Sequence, residues 1–293
     1  QNRHNYLVNL LSNNCDELFV VQENRTIFPG IVSGYYPASE IMKKYFKNVV
    51  NAQSKIFGNS HINGKNKNIH LFPLQSGDLN KCSIDTLSDF LKSDVYVVFG
   101  SSYIKDNLID FLVKNKALNI HMGVSPYYRG TDCNFWALYD DNPHIVGATI
   151  HLLSKGVDSG AILYHALSEI KDDPFVYTMS TVKSAFHSLA ERIKNESIFK
   201  FSPEIQNNSK EVRYSKKDQF NEEIVKLFLL KNINKKINYK ILQPINILSE
   251  NAIPSDWNSI VKCIEENWEN DFSGIIITHG TDTLSFTASA LSQ

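Results

Sequence analysis

Short β-branched or aromatic runs alternate with stretches of helical spacing along most of this chain. Tyr6, Leu7, Val8, Leu10 and Leu11 form an apolar stripe at helical spacing. Residues 18–21 read as a strand, 39–46 as a helix and 69–72 as a second strand. Residues 83–92 then predict a helix, 95–99 a buried strand ending at Gly100, 104–115 an amphipathic helix, and 118–121 a further strand. This alternation predicts an α/β fold, a parallel sheet flanked by helices. In open sheets of this kind ligands bind beyond the carboxyl ends of the strands. Gly100, Ser101, Ser102 and the segment after His121 are therefore expected beside one crevice.

The pattern lapses between about residues 195 and 217, which are rich in Asn, Lys and Ser. It returns to helical periodicity over 220–230, and 231–236 is a charged spacer. A boundary is placed there, dividing the chain into 1–231 and 232–293. Beyond it the alternation resumes, with a strand over 239–242, a helix over 254–266 opened by Pro254 and Ser255, and a buried strand over 274–277 running into His279-Gly280-Thr281.

With 293 residues and 42% hydrophobic content the chain can bury a core in two units. Its 30 Lys and Arg nearly balance its 31 Asp and Glu, for a net charge of −1, so no overall field draws it to nucleic acid or an anionic membrane. A small-molecule substrate fits better, and assembly of identical chains is left open. Cys15, Cys82, Cys133 and Cys263 lie far apart without zinc-ligand spacing, and read as reduced thiols of a cytoplasmic protein with no metal site. No run approaches the roughly 18 apolar residues of a membrane span.

Chemistry concentrates at one place. Asn119 and His121 end a buried strand; Gly147 to His151 supply another, and Gly156-Val157-Asp158-Ser159-Gly160 a glycine-flanked loop. A carboxamide, an imidazole and a carboxylate are what acyl transfer to an amine requires. The first two stabilise a developing oxyanion, while the carboxylate orients the imidazole or takes a proton. Taken alone, Asn-x-His at a strand end is more often a hydrogen-bonded loop.

The wider context favours the catalytic reading. Asn119-Ile120-His121-Met122-Gly123-Val124-Ser125-Pro126-Tyr127-Tyr128-Arg129-Gly130, then Phe135-Trp136, Gly147 to His151 and Asp158-Ser159-Gly160, resembles the signature of the formyltransferases that use 10-formyltetrahydrofolate. The resemblance covers most of residues 1–230 and implies a Rossmann-like domain. It implies that Asn119 and His121 bind the formyl oxygen as it becomes an oxyanion, that Asp158 orients His121 in a water-assisted proton transfer, and that the amine is the nucleophile. It also implies that backbone at Ser102-Tyr103-Ile104 and from Ser154 through Val157 to Asp158 grips the pterin ring of the folate. Ser125-Pro126 and Gly130 read as turn formers, and Phe135 and Trp136 as core. Bracing of the loop is favoured for Arg129 over contact with an anionic substrate group. Tyr128, His151 and Tyr214 are candidate acceptor contacts, with a structural histidine an equal alternative for His151. Gln206 and residues 210–220 resemble the tail that follows the catalytic domain in sugar-type and tRNA-type members. The family's first strand would lie ahead of Gln1. The missing C-terminal barrel argues against tRNA as acceptor, as does the near-neutral charge, since an RNA contact surface needs a basic patch. A small amine, such as an amino-sugar nucleotide, is expected. A hydrolase releasing formate from the same folate, and a folate-binding protein without turnover, are the alternatives.

Residues 237–293 carry a second resemblance. Thr278-His279-Gly280-Thr281-Asp282-Thr283-Leu284, preceded by Ser249 and Pro254-Ser255-Asp256-Trp257, resembles the N-terminal part of bacterial asparaginases, which implies a partial α/β asparaginase segment. By that resemblance Thr281 and Asp282 belong to an amide-hydrolysis site and Ser249 binds the substrate carboxylate. The nucleophile segment is not found and the partner lysine would lie beyond Gln293, so no asparaginase activity is expected.

Overall fold

A computed structural model of the protein describes residues 1–24, 39–234, 242–247, 251–267, 275, 277 and 278. It divides into two compact units, Gln1–Lys235 and Lys236–Gln293. In the second, the described helix is α7 (Pro254–Asn267, numbered after the six below), which buries Ile260. The strands expected at 239–242 and 274–277, and Ser249, Thr281 and Asp282, lie wholly or mostly outside the described residues.

The first unit follows the apolar periodicity. Helix α1 (Asn2–Ser12) leads to β1 (Leu18–Asn24), α2 (Glu40–Phe57) and β2 (Ile69–Gln75), and β1 and β2 pair in parallel. Ser39 starts α2 because its hydroxyl accepts from the Met42 amide, an orphan donor of the first turn. The helix runs well beyond the expected 39–46, since Val49, Ala52 and Phe57 continue its apolar stripe into the core. The expected helix over 83–92 is instead a tight turn ending in a 3₁₀ segment, Ser88–Leu91. Ser83 accepts from the Thr86 amide and Leu87 donates to both Ser83 and Ile84, so three-residue bonds compete with the α ladder.

Strand β3 is reduced to Val97–Val98, followed by α3 (Asp106–Lys114), β4 (Leu118–His121), β5 (Tyr128–Gly130), α4 (Cys133–Tyr139), β6 (Ala148–Leu152), β7 (Ile162–Ala166), α5 (Pro174–Lys194), β8 (Arg213–Ser215) and α6 (Glu222–Asn234). The sheet carrying the candidate site has the order β3-β4-β6-β7. Its β3–β4 pair is parallel, through the α3 crossover, whereas β4–β6 and β6–β7 are antiparallel. The sheet is thus mixed, because no crossover helix separates β6 from β7; the loop between them carries Asp158 directly. β5 and β8 form a separate parallel pair.

Phe186, Leu189 and Val182 of α5 pack beneath Leu118, Ile120 and Ile150 of the sheet. A second, aromatic cluster gathers Tyr45, Tyr128, Phe135, Trp136 and Phe228. Phe135 and Trp136 are core residues on α4, as their apolar character suggested. Each buried aromatic of this kind stabilises the fold by roughly 2–3 kcal/mol through area alone. These two clusters hold the sheet edge on which the polar residues stand.

Candidate active site

Strand alternation decides which side chains meet. On β4, Leu118 and Ile120 point into the core, so Asn119 and His121 share the opposite face. Register places His151 of β6 directly across from Asn119 and Thr149 across from His121. Opposed residues on neighbouring strands present their side chains to the same face, so Asn119, His121 and His151 converge.

The loop after β6 adds the carboxylate. Asp158 adopts a left-handed backbone, φ 47°, which non-glycine residues seldom hold. Its Oδ1 accepts from Asn119 Nδ2 at 3.3 Å and pairs with His121 Nδ1 at 3.2 Å, with His151 Nε2 at 3.7 Å. Asn119 Nδ2 also meets His151 Nε2 at 3.0 Å, and His151 Nδ1 lies 2.8 Å from the Leu152 carbonyl. A carbonyl only accepts, so Nδ1 of His151 carries the hydrogen and Nε2 offers its lone pair to Asn119.

The pair of His121 and Asp158 is largely removed from water, at 7% and 14% side-chain exposure. Burial alone pulls an imidazole toward neutrality. For His121 the hydrogen bond and charge of Asp158, together with the contact of Cys133, outweigh it and push its pKa up to about 10. Burial raises the Asp158 carboxyl, and the hydrogen bond and charge of His121 more than reverse this, holding it well below the usual carboxylate range. At neutral pH the site therefore holds an imidazolium against a carboxylate. Gly123 is required beside it: a Cβ there would stand 2.7 Å from His121 Nε2 and 2.5 Å from Cys133 Cβ.

Around this centre two loops approach each other. The Tyr103 hydroxyl donates to the Lys155 carbonyl at 2.7 Å, joining the loop after β3 to the loop after β6. Tyr103 and Val157 are exposed, Ile104 is buried in the core, and Ser154 bonds within its own loop to Gly156 and Ser159. Ser102 has both its amide and its hydroxyl occupied by Glu23, at 2.7 and 2.8 Å, so neither is spare for a ligand in this arrangement. Glu23 also accepts from the Gly77 amide at 2.8 Å. Burial opposes ionisation of Glu23, but these bonds prevail and lower its pKa. Glu23→Ala is expected to leave these amides unpaired and lower stability by about 1–2 kcal/mol, read as a shift in the urea midpoint; an unchanged midpoint would show that the clamp contributes nothing.

The structure gives the candidate acceptor contacts these surroundings. Tyr128 is 1% exposed, and its hydroxyl donates to Asp140 and accepts from Asn142, so it is a structural residue. Arg129 pairs with Glu211 at 3.1 Å and bonds Asn208, bracing the loop as favoured from the sequence. His151 is 1% exposed and belongs to the polar network itself. Tyr214 is exposed on β8, with the Arg129 guanidinium over its ring. Gly130 has φ 90° and a Cβ there would meet the Ser215 carbonyl at 2.0 Å, so it serves the close approach of β5 to β8.

Two residues that act on the site carried no signal of that role. Glu23 is one acid among many in the sequence, and Gln206 stood in a polar stretch, known only by its resemblance to a family tail. Gln206 Nε2 lies 2.8 Å from both the Asp158 and Gly160 carbonyls. Only the fold makes either visible.

The formyl transferase family matches residues 46–198, more than half of the chain and nearly the whole span from α2 to the end of α5. The chain belongs to the formyl transferase family. A second match, to the N-terminal asparaginase family, covers residues 179–293 and begins inside α5, well upstream of the resemblance seen from about residue 237. Curated relatives include a component of the glutamyl-tRNA(Gln) amidotransferase of Methanococcus maripaludis, 54% identical over 48 residues, 16% of this chain and 12% of the relative. The corresponding component from Halobacterium salinarum is 46% identical over 55 residues, 19% of this chain and 13% of the relative. The chain thus spans only about an eighth of the length of these relatives. Among solved structures, the formyltransferase PseJ of Anoxybacillus kamchatkensis is 17% identical with a TM-score of 0.42, over 69% of this chain and 87% of that one. Phosphoribosylglycinamide formyltransferase of Anaplasma phagocytophilum is 17% identical with a TM-score of 0.42, over 74% and 90%. Within this formyl transferase, among the described residues, no helix is long and apolar enough to cross a membrane.

Proposed function

We propose that this formyl transferase moves a formyl group from 10-formyltetrahydrofolate to the primary amine of a small acceptor, such as an amino-sugar nucleotide. The observation that carries the reading is the buried His121–Asp158 pair with Asn119 on the same carboxylate oxygen. The loops joined by Tyr103 and Lys155 suit the folate, since they present an exposed aromatic and an exposed aliphatic side chain, Val157, next to polar backbone. Bound there, the folate supplies an activated formyl carbonyl.

The chain's own residues then do the rest. His121 is protonated, and beside its contact with Cys133 its Nε2 hydrogen makes a long 3.5 Å contact to the Tyr128 carbonyl, so it is the donor easiest to redirect to an oxygen gaining negative charge. Asn119 gives its second hydrogen by exchanging the 3.3 Å bond to Asp158, the longer of its two. As the acceptor nitrogen bonds to the formyl carbon it becomes acidic; the Asp158 carboxylate receives its proton through water and returns it to the departing folate nitrogen. No side chain of the protein becomes acylated.

The test incubates the protein with 10-formyltetrahydrofolate and a panel of primary amines, amino-sugar nucleotides included, and follows tetrahydrofolate. Amine-dependent release is expected; amine-independent formate release would replace transfer by hydrolysis, and no release would overturn both. The pH profile gives a second check. The folded pKa of His121 lies above its ordinary 6.5, so its ion-pair contribution is complete below that value and is lost as pH rises through about 10. That of Asp158 is depressed, so its contribution is complete above the ordinary carboxylate value and is lost only as pH falls through the lowered one. Turnover is therefore expected to be flat from about pH 5 to 9. A limb near pH 6.5 would mean that His121 titrates as an unpaired imidazole.

A further inference from the structure

Gln206 lies outside the residues matched to the formyl transferase family, 46–198, in the polar stretch between α5 and β8. The fold returns this stretch to the site. Glu204 and Ile162 exchange both backbone bonds, Ile162 N to Glu204 O at 2.7 Å and Glu204 N to Ile162 O at 2.8 Å, so the chain lies along the free side of β7. Two residues on, the Gln206 side chain reaches the turn holding Asp158. One nitrogen, Nε2, donates both its hydrogens, to the Asp158 carbonyl and the Gly160 carbonyl, each at 2.8 Å. Two carbonyls can be met only by the NH₂ end, which fixes the orientation of the amide.

The other end of that amide is less well served. Gln206 Oε1 is buried without a hydrogen-bond partner among the described residues. An unpaired buried acceptor carries a desolvation penalty, which the two bonds of its nitrogen have to offset. What it holds is the left-handed backbone of Asp158, φ 47°, a conformation that surrounding structure must impose. A relaxation of this turn moves Oδ1 away from His121 and Asn119 together, since one oxygen serves both.

We infer that Gln206 is a positioning residue of the transfer site, clamping the Asp158 turn so that one carboxylate oxygen meets both Asn119 and His121. The inference rests on the transferase reading for its effect on turnover, but not for its effect on His121. Gln206→Ala removes the clamp, and Gln206→Met removes it while keeping the side-chain length. The imidazole of His121 is titrated by NMR in the full chain, with melting temperature recorded for each variant. In both variants the His121 midpoint is expected to fall by about one pH unit or more as the carboxylate drifts. With 10-formyltetrahydrofolate and the best amine of the panel, kcat is expected to drop about tenfold while KM for the amine stays within about twofold.

An unchanged His121 midpoint in a folded variant would overturn the inference, as would an equal loss in KM with kcat intact. If both variants unfold, the amide is a fold-stabilising contact and the inference fails. If wild-type protein releases no tetrahydrofolate with any amine, the transferase reading fails, and the titration still decides the clamp.

Discussion

His121→Ala is expected to lower kcat for tetrahydrofolate release by about a hundredfold or more, the scale of losing an oxyanion partner in a water-poor site. The imidazolium faces the Asp158 carboxylate at close range, through Nδ1 at 3.2 Å. Its removal takes away a donor to the developing oxyanion. It also leaves a nearly buried carboxylate without its counter-charge, so the Asp158 pKa should climb from its depressed value. The acid limb of the pH profile therefore moves upward in this variant, a signature that simple loss of fold does not produce. KM for the amine should change much less than kcat, because the lost interaction strengthens only in the transition state. A near-normal rate would remove His121 from the mechanism.

Gly160→Ala is expected to lower stability by about 3 kcal/mol, more than any other single methyl added to this turn, and to abolish turnover in the fraction that stays folded. A Cβ at this position would lie 1.6 Å from the Leu152 carbonyl oxygen and 3.0 Å from His151 Nδ1. The first obstacle is backbone and cannot rotate away. Either the turn or the end of β6 must shift, and both carry the site: Gly160 O is one of the two carbonyls held by Gln206, and Leu152 O receives the His151 hydrogen. For a unit of this size the loss corresponds to a fall in melting temperature on the order of 6–12 °C. A variant with wild-type melting temperature would show that the turn has room to relax.

Much of this arrangement is legible from residue order, and the reasons are local. The 3.6 and 2.0 periodicities mark α3, α7 and β4 within a residue or two and announce α1 by its apolar stripe, because burial of one face dictates which positions are apolar. Asn119 and His121 are spaced two apart on a strand, so their shared face follows from alternation alone. Their resemblance to a family signature rested on glycines and a Ser-Pro pair whose structural duties the fold displays: Gly123 clears His121, Gly130 admits β8, and Ser125-Pro126 turns the chain after β4.

The rest needed contacts between residues far apart in the chain. The run 83–92 carries helical spacing, but its serine side chain competes for backbone amides, and a 3₁₀ turn results. Tyr128 and His151 look like ligand contacts in sequence because polar side chains near a site often are. Only the cross-strand register and the Asp140 and Asn142 partners reveal that both are buried and already satisfied. What the amino-acid order determines by itself is most of the elements up to β4, the three polar groups proposed to react, and the face on which two of them stand. What the tertiary structure decides is that Asp158, held left-handed by Gln206, places a single oxygen against both Asn119 and His121. Proximity of that kind depends on strand register and on hydrogen bonds spanning dozens of residues, and neither is encoded in any local pattern.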